Sequence, residues 1–248
     1  RLRVSAVKNP PRLRVSAVKN PADPLNRKPG EALCPARFDR DALEAKRKKL
    51  GSYSFSALYQ HSPVPADGNV FKRAWFGTIV ERAPDGLRWY RTYDLAISTK
   101  TSADYTASVR LAQDKDGTIY IADIFRKRIE YPEQLRYITG RIEAERDTEH
   151  GIESALHGLA FIQELRRNAR LSSAAFRGIR VSKDKLTRCL AWANRAEEGK
   201  VVLVRGPWNA DFIDEACAFP NGRHDDQIDA VSLAVEMLSV RKNIGMGF

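Results

Sequence analysis

The apolar residues of this chain change their spacing once between Leu87 and Val204, and that change limits the fold more than any other feature. "LRWYRTYDLA" (87–96) alternates, setting Trp89, Tyr93 and Leu95 apart from Tyr90, Thr92 and Asp94. "DYTASVRLA" (104–112) alternates too, and "GTIYIADIF" (117–125) follows the turn signal "DKDG". Side chains of a strand point to opposite faces in turn, so these read as three strands joined by short links, an antiparallel meander. Beyond them the spacing becomes helical over 132–147, 155–168, 184–198 and 226–240. Between the helices stand the short apolar runs "GIES" (151–154), "FRGIRV" (176–181) and "VVLV" (201–204). Strand–helix alternation implies parallel strands with helices on both faces of a sheet. The expected fold class is α/β, a mixed sheet with strands 1-3 antiparallel and the later strands parallel. In the last helix Ile228, Val231, Val235 and Leu238 share one apolar face.

The sequence ahead of the sheet has a different character. "RLRVSAVKNP" at 1–10 recurs unchanged at 12–21, with Pro11 between. Solenoid repeats are longer and diverged, so residues 1–21 read as a recent duplication, disordered or artefactual, and do not bear on the fold. "ADPLNRKPG" (22–30) is linker-like, and "RFDRDALEAKRKKLG" (37–51) reads as a charged helix that starts at Asp39 or Asp41 and ends at Gly51. "HSPVPADGN" (61–69) is a second irregular connector. The expected division is thus 1–21, a connector at 22–85, and the main domain at 86–248.

Lys and Arg outnumber Asp and Glu by 42 to 31, a formal charge of +11. Such an excess points to a polyanionic partner, nucleic acid above all. Cys34, Cys189 and Cys217 are odd in number and far apart, which fits neither a disulfide framework nor a zinc site and implies a reducing compartment. No apolar run reaches membrane-spanning length, so no membrane partner is expected.

Against this basic background, three acidic positions stand out. "GRHDDQIDAVSLA" (222–234) crowds Asp225, Asp226 and Asp229 at the start of the last helix, where one acid would suffice as a cap. Asp94 lies in the first strand between Tyr93 and Leu95, where a charge is costly unless paired or metal-bound. Glu153 ends the run "GIE" just before a helix. Oxygen ligands without His or Cys partners suit Mg²⁺ or Mn²⁺. Two such ions, about 3.5–4 Å apart, would activate water and stabilise the leaving oxygen of a phosphodiester. Each acid also has a plain structural role open to it: Asp94 could bond a backbone amide, Glu153 could be a first-turn helix acid, and Asp225 or Asp226 could be the cap. Lys183, Lys185 and Arg188, near a helix start, are candidates for phosphate contact or for a solvated face. His224, just ahead of the acids, is a candidate to orient a ligand or the DNA, or an ordinary exposed histidine. Asp104 reads as a turn or strand-entry residue, and Trp75, Trp89, Trp192 and Trp208 as core or interface anchors.

"YDLA" (93–96), "SADYTA" (102–107), "GIES…G" (151–158), "VSKDKLTR" (181–188) and "FPNGRHDDQIDA" (219–230) follow one another in an order and spacing that resembles the nuclease domain of the large terminase subunit of tailed bacteriophages. The resemblance covers residues 85–240, and "DPLNRKPGEALCPARFDRDALEAKRKKLGSYSFSALYQHSPVP" upstream resembles the stretch joining that family's ATPase motor to its nuclease. It implies a ribonuclease H-like fold and a two-metal endonuclease that cuts concatemeric viral DNA, using Mg²⁺ or Mn²⁺. It also implies that Asp94, Glu153 and Asp226 are the catalytic metal ligands and that Asp225 shares the metal or caps the helix. Double-stranded DNA, the ATPase motor, the small terminase subunit and the portal are the implied partners, in the cytoplasm of a host bacterium. The phosphate-binding pattern G-x-x-x-x-G-K-[ST] does not occur in the chain, so the motor is expected to be absent from it. Two rival expectations remain: another ribonuclease H-like nuclease such as a Holliday-junction resolvase, and a non-catalytic DNA-binding or packaging module.

Overall fold

The computed structural model describes residues 32–59, 69–96, 105–154, 156–181 and 183–244. The duplicated decapeptides, the linker at 22–30, the second connector up to residue 68 and Asp104 lie outside the described residues. The chain divides into two compact units, Arg1–Gly68 and Asn69–Phe248.

In the first unit, helix α1 (Arg40–Tyr59) begins behind Asp39, whose Oδ1 accepts a 2.7 Å hydrogen bond from the N–H of Ala42. Gly51 was expected to end this helix. It breaks it instead, at φ 75° and ψ 161°, and helical turns resume as far as Tyr59. Glycine adopts that backbone conformation without the clash a Cβ would bring. Ala32, Leu43 and Phe55 form the small core of this unit, with Phe55 and Tyr59 stacked at 4.9 Å.

The second unit is a seven-stranded sheet with helices on both faces. Along the chain come β1 (Ile79–Val80), β2 (Trp89–Asp94), β3 (Thr106–Gln113), β4 (Ile119–Lys127), α2 (Tyr131–Ala144) and β5 (Thr148–Glu153). They are followed by α3 (Leu156–Arg167), β6 (Phe176–Ile179), α4 (Lys185–Glu197), β7 (Val201–Val204), α5 (Asn209–Ala218) and α6 (Asp226–Ile244). β2, β3 and β4 pair antiparallel, as the alternation predicts. The β3–β4 turn is held by Asp114, whose Oδ1 accepts from the N–H groups of Asp116 and Thr118, both at 2.9 Å. β5 pairs parallel with β2, β6 with β5, and β7 with β4, so the strand order is β1-β7-β4-β3-β2-β5-β6. β1, parallel to β7, was not expected, because two residues are too few to show alternation. Nor was α5, which starts at Asn209, a side chain that accepts from Gly206 N and donates to Val204 O.

One face of the sheet packs against α2 and α3, through Tyr93, Ile138, Ile142, Ile152, Phe161 and Leu165. On that face Arg91 is fully buried and neutralised by Glu145 and Asp123, both at 2.7 Å. The other face is covered by α6, where Tyr90 and Ile179 meet Leu233 and Met237. α4 packs on the outside of α6, and Trp192 Nε1 donates to Ser232 Oγ at 3.1 Å. A single apolar face was expected for α6. Between sheet and α4 its first turns have none to spare for solvent: every residue from Asp226 to Val235 is buried, and exposure begins at Glu236. Among the described residues no helix is long and apolar enough to cross a membrane.

Candidate active site

Strand periodicity decides which way the first two acids point. Thr92 in β2 bonds α6 on one face, while Tyr93 sits in the core beneath α2 and α3 on the other. Asp94, two residues after Thr92, continues the row that faces α6. In β5 the same logic applies: Ile152 packs beside Tyr93, its register partner, and a Cβ on Gly151 would strike Ile179 and Met237 under α6. Glu153 therefore also faces α6. It follows Ile152 as Asp94 follows Tyr93, so the two acids end neighbouring parallel strands on one face of the sheet.

Glu153 is held in place by a close approach. A Cβ on Gly158, in the first turns of α3, would fall 1.7 Å from the carbonyl oxygen of Glu153. The glycine of "GIES…G" is thus a steric requirement, since only a residue without a side chain lets the helix come so near the strand end.

The third acid comes from the helix that crosses this face. Asp226 is the first residue of α6 and is only 4 % exposed. Its Oδ1 accepts from the backbone N–H of Tyr105 at 3.2 Å, just before β3. The cap of α6 is supplied from α5. Glu215 Oε1 accepts from the N–H groups of Gln227, at 2.7 Å, and of Ile228, at 3.4 Å.

Burial, then the negative charges of Asp229, Glu153 and Asp226 in that order, push the Asp94 carboxyl up to about 8, against the pull of Lys185. Four acids and one ammonium thus act on one another at this end of the sheet. Asp229, one turn into α6, acts most strongly of the charged groups on Asp94. Burial also raises its own carboxyl, in opposition to Lys185.

Lys185, the first residue of α4, bridges two of the aspartates. Its Nζ lies 2.6 Å from Asp229 Oδ2 and 3.0 Å from Asp225 Oδ1. Burial works against its charge, but hydrogen bonds to Asp229 and Asp225 outweigh this and hold the ammonium above its ordinary value. Arg188, a turn further along α4, is buried at 8 % exposure and donates from Nη2 to Asp229 Oδ1 at 3.0 Å. Lys183 is exposed. Asp184 caps α4 through Thr187 N, at 2.9 Å. His224 packs edge-on against Tyr105 at 5.0 Å, with its Nδ1 3.9 Å from Asp226 Oδ2.

The donor set is made of carboxylate oxygens, the chemistry that suits a hard divalent ion. Among the described residues, however, no group of three or more His, Cys, Asp or Glu side chains is arranged to hold a metal ion as it stands. The cation that bridges Asp225 and Asp229 is the ammonium of Lys185. Sequence reasoning missed Glu215 and the Tyr105 amide. Glu215 has a signal in retrospect: it lies one turn after Phe212 in α5 and beside the buried Ala216, where a charge needs a partner. The Tyr105 amide leaves none, because a backbone donor is the same in every residue.

Known proteins resemble this chain in sequence pattern and in fold. Residues 91–238 match the family model described as the terminase RNase H-like domain. No curated protein sequence matches the chain. Among solved structures, the large terminase of a thermophilic bacteriophage in complex with ADP is 13% identical, with a TM-score of 0.58 over 82% of this chain and 53% of that one. The chain therefore spans about half the length of that protein. The large terminase nuclease of thermophilic phage G20c with bound magnesium is 15% identical, with a TM-score of 0.51 over 69% of this chain and 98% of that one. The human cytomegalovirus terminase nuclease domain, manganese-soaked and inhibitor-bound, is 13% identical, with a TM-score of 0.51 over 71% and 97%. Identities this low establish the fold, an RNase H-like mixed sheet with antiparallel and parallel strands. The family match covers more than half of the chain and carries the assignment further. The chain belongs to the terminase RNase H-like domain family.

Proposed function

We propose that the chain is a metal-dependent DNA endonuclease of viral genome packaging, cutting concatemeric double-stranded DNA by phosphodiester hydrolysis. The observation that supports this most is geometric: Asp94 and Glu153 end neighbouring parallel strands on the face that α6 crosses, and α6 starts at Asp226. Burial first, and then the charges of Asp229, Glu153 and Asp226, push Asp94 up to about 8. Acids that repel one another in this way call for a cation, and a basic chain calls for a polyanion. Two Mg²⁺ or Mn²⁺ ions held by Asp94, Glu153 and Asp226, with Asp225 as a shared ligand, would supply an activated water and a Lewis acid for the departing 3′-oxygen. Asp94, raised by burial and its acidic neighbours, would bind such an ion as the carboxylate and so would lose its proton on binding. Asp226 is kept in place by the first turn of α6 and the Tyr105 amide. Lys185 must leave Asp225, or share it, for that acid to ligate.

Lys183, exposed ahead of α4, and Lys185 are assigned to the DNA backbone, with His224 beside Asp226 steering the strand. Arg188, buried on Asp229, would act by holding that acid. Phosphate contacts carry no base information, so cleavage is expected to show weak sequence preference. In this reading the chain works with an ATPase motor, a small terminase subunit and a portal inside a bacterial host. Supercoiled plasmid incubated with Mn²⁺, with and without EDTA, tests the proposal. Nicking that EDTA abolishes is the expected result, and intact plasmid across a range of Mn²⁺ concentrations would refute it.

A further inference from the structure

The N-terminus of α6 is secured by a side chain from elsewhere in the fold, and the arrangement reaches Asp226. A helix start is ordinarily capped by a Ser, Thr, Asp or Asn just before it, through one acceptor. Here the acceptor is Glu215 of α5, twelve residues before Gln227 and 7 % exposed. Its Oε1 takes the N–H groups of Gln227 and Ile228, and its Oε2 takes the side-chain amide of Gln227 at 2.6 Å. Arg126, next to the end of β4, donates to the same Oε2 from Nη1. A buried carboxylate is costly unless its charge is matched. The helix N-terminus and the guanidinium match it together.

Arg126 also touches the second support of Asp226. Its guanidinium lies 4.4 Å from the centroid of the Tyr105 ring, and Tyr105 is the residue whose N–H donates to Asp226 Oδ1. The place of Asp226 in the helix and the direction of its carboxylate are therefore both tied to the Glu215–Arg126 pair. Asp226 immediately precedes Gln227, so a shift of the first turn displaces it directly.

We propose that Glu215 is a positioning residue: through Gln227 and Arg126 it sets the carboxylate of Asp226 for cation binding, and the affinity of the chain for divalent metal depends on it. The proposal rests on the nuclease reading above, which takes Asp226 as a ligand. Groups that orient a ligand without touching the metal commonly change metal affinity about 10–100-fold when removed.

Mn²⁺ titrated calorimetrically into the full chain tests this, with thermal melts in EDTA and plasmid nicking alongside. Glu215→Ala removes every acceptor, and Glu215→Gln keeps the shape and one oxygen for the backbone. Asp211→Asn, an exposed acid in the first turn of the same helix, is the control. Mn²⁺ affinity is expected to fall about tenfold or more in Glu215→Ala and by less in Glu215→Gln. It should stay unchanged in Asp211→Asn. If Glu215→Ala does not fold, Glu215→Gln and Arg126→Lys carry the comparison. Folded Glu215 variants that bind Mn²⁺ as the wild type does, while melting lower in EDTA, would reduce Glu215 to a helix cap and overturn the proposal. A wild-type chain that binds Mn²⁺ without nicking DNA overturns the nuclease reading alone, and one that binds no Mn²⁺ overturns both.

Discussion

Thr92 Oγ1 donates a 2.7 Å hydrogen bond to the carbonyl oxygen of Ala230, and both residues are fully buried. β2 ends at Asp94 shortly after Thr92, and α6 begins at Asp226 one turn before Ala230. The bond thus clamps the strand that carries one acid to the helix that carries another. Thr92→Val keeps the branched shape and removes the donor. It should cost about 0.5–1.5 kcal/mol, read as a lower urea midpoint, with slower nicking as α6 loses its seat on β2. A variant that keeps both stability and nicking rate would show the clamp to be dispensable.

What the sequence shows of this arrangement depends on the range of the interactions. The meander was legible because register follows alternation, and Tyr90, Thr92 and Asp94 share a face whatever else the chain does. The later helices and parallel strands were legible because the period changes. Asp94 was legible as a candidate because a charge in a buried strand needs an explanation. The cap of α6 was not, because Glu215 belongs to another helix and only the folded chain brings it to Gln227. The closeness of Asp229 to Asp94 was not legible for a related reason: it is set by how α6 lies across β2, and spacing along the helix does not contain that.

Asp94 gives the metal-free protein a pH dependence of definite sign. Its ordinary carboxyl value is 3.8, and in the fold it is raised to about 8, by burial first and then by Asp229, Glu153 and Asp226. Between those values the folded chain holds a proton that the unfolded chain has lost. The contribution of Asp94 to stability is therefore greatest below the lower value and declines as pH rises toward the upper one, by at most about 1.4 kcal/mol per pH unit. Asp94→Asn cannot ionise, so its stability should change less over this range and exceed that of the wild type near the upper end, while nicking is lost. Urea melts in EDTA across the range check this, and parallel curves for the two proteins would remove Asp94 as the cause.

DNA affinity should fall steeply with salt. Contacts to phosphate release counterions, so the logarithm of affinity declines in proportion to the logarithm of salt concentration, with a slope of about −0.9 per phosphate contacted on duplex DNA. Lys183→Ala should lower that slope by about one and weaken binding to unrelated duplexes equally. Fluorescence anisotropy over a salt series measures both quantities. An unchanged slope would take Lys183 off the DNA.

Two glycines in helices make opposite predictions for the same substitution. Gly140, exposed in α2, has nothing within 4 Å of where a Cβ would stand. Gly140→Ala should stabilise the protein by roughly 0.8–1 kcal/mol through helix propensity alone and leave nicking untouched. Gly158 in α3 meets the carbonyl oxygen of Glu153 at 1.7 Å and its carbonyl carbon at 2.9 Å from that same point. Both atoms are backbone, so the contact cannot be relieved by turning a side chain. Either α3 retreats from the end of β5, opening the packing around Phe161 and Leu165, or the peptide of Glu153 turns and takes the carboxylate with it. Forcing extra atoms into a packed core costs about 1–3 kcal/mol, so Gly158→Ala should lower the melting temperature and depress nicking together. If the two alanine variants proved equally stable and equally active, Glu153 would not owe its position to the close approach of α3.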